Sequence, residues 1–78
     1  MRIEINKYIV ADSEICHGKP TFKGTRIMVS IVLEMLQEGA SSKEILEAYP
    51  SLTENHIRAA LEFAAQIIGS KNFKLTSA

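Results

Sequence analysis

With 78 residues, 46% of them hydrophobic, the chain makes a single domain (1–78) with a modest core, and its small size favours a homodimer. Nine Lys and Arg balance nine Asp and Glu, so net charge supplies no bulk attraction to nucleic acid. One cysteine excludes an internal disulfide, Met1-Arg2-Ile3-Glu4-Ile5 lacks a signal-peptide core and no apolar run reaches bilayer length, so a cytoplasmic protein without a membrane partner is expected.

Residues 1–28 read as a short β-hairpin with a basic loop. Ile3, Ile5 and Tyr8-Ile9-Val10 are β-prone and run into the turn residues Ala11-Asp12-Ser13, which predicts one strand. Thr21-Phe22-Lys23 and Thr25-Arg26-Ile27 flank Gly24 with β-branched and aromatic residues, so a second strand, bent or bulged at Gly24, is expected to pair with it. Overlapping that second strand and directly preceding the first helical pattern, Gly18-Lys19-Pro20-Thr21-Phe22-Lys23-Gly24-Thr25-Arg26 packs three cations, two glycines and a proline into nine residues. Such a segment is a shaped, basic loop.

From Val29 the period becomes helical. Val29, Val32, Leu33 and Leu36 fall at i, i+3, i+4 and i+7, Ile31 and Met35 widen the apolar arc, and Gly39 is placed to end the helix. Ser41-Ser42-Lys43-Glu44 has capping-box spacing and opens a short second helix that Pro50 closes after Tyr49. Thr53 is an N-cap for the third helix, Glu54 suits its first turn, and Leu52 and Ile57 form a hydrophobic staple. Ile57, Ala60, Leu61, Ala64 and Ile68 then keep helical spacing until Gly69, leaving a short tail over 70–78.

The fold class expected is therefore mainly α: a three-helix, homeodomain-like helix-turn-helix unit over 29–69, preceded by the hairpin. In that geometry the start of the last helix enters the major groove and presents Thr53, Glu54, Asn55, His56 and Arg58. Asn pairs with adenine and Arg with guanine, so Asn55, Arg58, Thr53 and His56 are the base-reading candidates, although the same residues would equally make a capped, solvated helix face. Charge is segregated, with five cations and three anions in 1–26 but one cation and four anions in 27–53. Backbone phosphates would thus fall to Lys19, Lys23 and Arg26, unless Arg26 instead pairs with Glu34 or Glu38, or to Lys71 and Lys74.

The combination of Asp12-Ser13-Glu14-Ile15-Cys16, Gly18-Lys19-Pro20, Gly24-Thr25-Arg26, Glu38-Gly39-Ala40-Ser41, Tyr49-Pro50-Ser51-Leu52-Thr53 and Ala59-Ala60-Leu61 resembles the prokaryotic domain-of-unknown-function family 433. That resemblance, which covers most of the chain, implies an antitoxin-like helix-turn-helix protein that represses its own operon and is paired with a PIN-like toxin nuclease.

Other chemistries fit poorly. A P-loop needs glycines five positions apart followed by Lys-Ser or Lys-Thr, whereas Gly18 and Gly24 are six apart. Cys16-His17 has neither zinc spacing nor a triad partner, and Glu34, Glu38, Glu44 and Glu47 sit at helix-surface spacings. No enzyme, metal or cofactor is expected. The competing class is a protein-interaction module without DNA binding, using Ile31 and Met35, or Phe63, Ile67 and Phe73.

Overall fold

In a computed structural model, which describes residues 1–70 and 72, three helices pack against a small antiparallel sheet. The strands are β1 (Arg2–Glu4), β2 (Ile9–Asp12) and β3 (Thr21–Phe22), in the order β1-β2-β3. The helices are α1 (Val29–Gln37), α2 (Ser42–Ala48) and α3 (Glu54–Gly69). Lys71, Phe73 and Lys74, considered above, lie outside the described residues.

The expected hairpin is corrected to three strands, for two local reasons. Asn6 breaks the first β-prone stretch: its Oδ1 accepts from the backbone N–H of Tyr8 (2.8 Å) and of Ile9 (3.0 Å), an Asx turn that folds β1 onto β2. Ile3 then pairs with Ala11, and Glu4 with Val10. At Gly24 the chain reverses instead of bending through a single strand. Phe22 N–H reaches Ile27 O at 3.1 Å, Thr25 Oγ1 donates to Phe22 O at 2.8 Å, and Thr21 bridges to Met28.

The segment before β3 sets where α1 begins. Cys16, His17 and Gly18 have φ of 49°, 56° and 83°, a left-handed run of three residues, two of which carry a Cβ. Gly18 and Lys19 close this turn with N–H bonds to Ile15 O (3.0 Å) and Cys16 O (3.1 Å). The chain then passes through Pro20, whose carbonyl accepts the Val29 N–H at 3.0 Å and satisfies a donor that the first turn of α1 cannot. The basic loop thus holds the start of the first helix.

Helix ends follow the sequence closely. Ala40 N–H bonds Met35 O (2.9 Å) and Gly39 N–H bonds Leu36 O (3.0 Å), a Schellman arrangement that needs the positive φ of Gly39. Ser41 and Glu44 form the reciprocal box, with bonds of 2.9 and 3.1 Å. These bonds, first the one from the Ser41 backbone N–H, hold the Glu44 carboxyl below its ordinary range.

The core draws on every layer: Ile9 and Phe22 from the sheet, Val29 and Val32 from α1, Ile45 from α2, and Ile57, Ala59 and Ala60 from α3. Met35 and Phe63, both candidates for an exposed interaction stripe, instead pack at the margin of this core. Burial of the core's large aliphatic and aromatic side chains, at about 1.5–3 kcal/mol each, is what offsets the ordering of so short a chain.

The left-handed run gives a stability prediction. Gly18→Ala should destabilise by about 1–2 kcal/mol through φ alone, since the added Cβ would meet nothing closer than Ser13 Cα at 3.9 Å. His17→Gly should leave stability unchanged or raise it by up to about 1 kcal/mol. Denaturant unfolding of both variants checks the pair, and equal losses would refute it.

Candidate nucleic-acid interface

The site is built on the junction between α2 and α3. Tyr49 N–H bonds Ile45 O at 2.9 Å, Leu52 N–H bonds Tyr49 O at 3.0 Å, and Leu52 and Ile57 are buried to 4% and 3% exposure. The staple expected from sequence therefore anchors the turn in the core. Asn55 and Arg58 follow on the exposed side of α3.

His56 is placed differently from expectation. Its ring lies edge-on to Tyr8 (centroids 4.9 Å apart, 61° between planes) and to Phe22 (5.5 Å, 74°). Its Nδ1 is 3.0 Å from the Thr53 backbone nitrogen and 2.9 Å from Thr53 Oγ1. The Thr53 N–H donates, so Nδ1 accepts and the ring proton sits on Nε2. The imidazole reaches back over the N-cap in the role that Glu or Gln usually fills, and burial pushes its pKa down. His56 and Thr53, offered above as base readers, are thus engaged with each other at the helix start.

Asn55 and Arg58 face a cleft of about 290 Å³ together with Ala59 and Glu62. The opposite wall is the β1–β2 turn, Asn6, Lys7 and Tyr8. Sequence reasoning left this turn out. The signal was present in Asn6 followed by a lysine between β-prone residues, an Asx-turn composition, but which element the turn would touch depends on tertiary packing.

The three loop cations do not join that cleft. Lys23 forms an ion pair with Glu4 of β1, and its hydrogen bond holds the Glu4 carboxyl below the usual range. Arg26 is exposed; among the described residues it makes no ion pair with Glu34 or Glu38, and its carbonyl lies 3.6 Å from Cys16 Sγ. Lys19 stands at the rim of a second, apolar groove of about 410 Å³, walled by Val29 and Leu33 of α1 and by Phe63, Ala64, Ile67 and Ile68 of α3. Ile68 is 63% exposed there. At about 100° per residue, Asn55, Arg58 and Glu62 lie on the side of α3 roughly opposite to these groove residues.

A family model described as "Protein of unknown function (DUF433)" matches residues 9–64, which include every buried core residue and the α2–α3 junction. The chain belongs to the DUF433 family. It is also similar to a DUF433 member protein from Anabaena variabilis ATCC 29413, known from a crystal structure, with a TM-score of 0.75 and 31% sequence identity over 83% of this chain. The match spans 64% of that protein's length. No functionally curated protein matches this DUF433 chain. Among the described residues, no helix is long and apolar enough to cross a membrane, and no three His, Cys, Asp or Glu side chains gather as a metal site.

The lowered pKa of His56 predicts a pH dependence. In the unfolded chain the imidazole gains its proton near its ordinary value of about 6.5, whereas in the fold it does so only at lower pH. Between those two points the unfolded state binds more protons, so stability falls as pH drops below about 6.5 and is unaffected by this group above it. Thermal unfolding from pH 7.5 to 5 should show the fall, and His56→Gln, which keeps a side chain able to reach the N-cap, should flatten it. A wild-type profile that is level over this range would remove the imidazole from the account.

Proposed function

We propose that this protein is a dimeric, DNA-binding, antitoxin-like protein of a toxin–antitoxin pair, which represses its own operon and holds a PIN-like toxin. The carrying observation is the pair Asn55 and Arg58, both exposed and one turn apart near the start of α3, immediately after a turn anchored by buried Leu52. In this reading α2 and α3 are a helix-turn-helix, and α3 is the recognition helix whose first turns enter the major groove. Asn55 reads adenine and Arg58 guanine, each contact discriminating by about 1–3 kcal/mol. Two copies match two half-sites about 34 Å apart. The apolar groove on the far side of α3 suits the toxin, because a partner seated there leaves Asn55 and Arg58 free.

A second reading, a protein-interaction module without DNA binding, is favoured by the same apolar groove together with the zero net charge. The two separate in one experiment. Titration against the chain's own upstream DNA at several salt concentrations should give specific binding with a steep salt slope, and Arg58→Ala should relax sequence preference. Absence of any shift at low salt overturns DNA binding and leaves the interaction module. Ile68→Glu is expected to abolish toxin binding in a pull-down while DNA affinity stays at the wild-type value.

A further inference from the structure

One wall of the polar cleft, the β1–β2 turn, takes no part in base reading by Asn55 and Arg58. The β1–β2 turn is rigidly made: Asn6 Oδ1 holds two backbone N–H groups, and Ile9 O accepts from Ile5 N–H (3.0 Å) and Asn6 N–H (3.2 Å). Tyr8 fastens it to α3 through its edge contact with His56, and Tyr8 O accepts the Lys23 N–H at 2.9 Å. At the tip, Lys7 is exposed, with Nζ 5.6 Å from the Tyr8 ring centroid. A fixed turn therefore places a cation beside the face of α3 that carries Asn55 and Arg58.

Lys7 and Arg58 approach one space from two elements, and neither takes part in an ion pair among the described residues. Lys23, by contrast, already has Glu4. Glu62 also faces the cleft, one turn beyond Arg58, so an anion is repelled from that end and directed towards Lys7. The major groove is about 12 Å wide and walled by phosphate strands, so a projection alongside a helix lying in it meets the backbone and not the bases. An ammonium on a flexible stem suits such a contact, because it needs no fixed fork geometry.

We propose that the β1–β2 turn is a wing in which Lys7 grips a backbone phosphate next to the bases that Asn55 and Arg58 read. This rests on α3 being the DNA-facing helix. The shared chemistry, a phosphate oxygen against an ammonium, would also serve a free phosphate ligand, and the test separates the two.

Wild type, Lys7→Ala and Lys7→Arg are titrated against operator and unrelated duplexes from 0.05 to about 0.3 M salt, with thermal unfolding as a check that the exposed substitution leaves the fold intact. One lost phosphate contact should lower the log–log salt slope by about 0.9 and weaken binding about eightfold at 0.1 M salt, alike on both duplexes. Lys7→Arg should keep the wild-type slope. If the wild type binds and Lys7→Ala keeps its slope, the wing is overturned while DNA binding stands; if the wild type does not bind, the functional reading itself fails. Inorganic phosphate is titrated in parallel by following the amide resonances of residues 6–8. Saturation at micromolar phosphate, with the DNA slope unmoved by Lys7→Ala, would assign the site to a free phosphate and overturn the wing.

Discussion

The contact on which the rest of the structure depends is the His56 imidazole, wedged between Tyr8 and Phe22 and bound through Nδ1 to the start of its own helix. It ties the N-cap of α3 to the sheet, touching both Tyr8 of the β1–β2 turn and Phe22 of β3, which are themselves joined by the β2–β3 ladder. An aliphatic side chain would fill the same space but leave the exposed Thr53 N–H to water, and a carboxylate would cap the helix but disfavour packing between two rings. A neutral imidazole does both. Together with the core contacts of Ile57, Ala59 and Ala60, this ring helps fix how the start of α3 sits against the turn that carries Lys7.

Much of the helical part was legible because its signals are local. Gly39, Ser41 with Glu44, Pro50 and Leu52 with Ile57 each act over three to five residues, and each boundary they imply matches the structure to within a residue or so. The sheet was less legible. Asn6 and Gly24 both carry turn chemistry, but whether a Gly or Asn in a β-prone stretch makes a bulge or a reversal is decided by what the flanking residues can pair with, which is not a local property. The packing of His56 is illegible for a related reason: a histidine three residues after a threonine has no distinctive pattern, and only the approach of Tyr8 and Phe22 makes its partial burial favourable.

The neutral total charge also proves a poor guide to the surface. Lys23 and Glu4 cancel across the sheet, while Lys7 and Arg58 share a cleft without an ion-pair partner among the described residues and Glu62 lines the same cleft. A chain with no net field can thus still carry a local positive edge, and the field of such an edge extends little beyond about 10 Å at ordinary salt. Any attraction it exerts is felt on contact and contributes little to long-range steering.

The left-handed run at Cys16, His17 and Gly18 has a consequence for which sequences can share this loop. Backbone of that sign strongly disfavours β-branched side chains and favours glycine, asparagine, aspartate and histidine, with Cys16 adopting it here at φ 49°. Substitution there is therefore filtered by shape as well as by chemistry, with valine, isoleucine and threonine the most strained choices at positions 16 and 17. A loop that looks in the sequence like a cluster of reactive and basic residues is thus also constrained by the hand of its backbone, and a preference for particular residues at positions 16–18 has a conformational cause independent of any chemistry the loop carries.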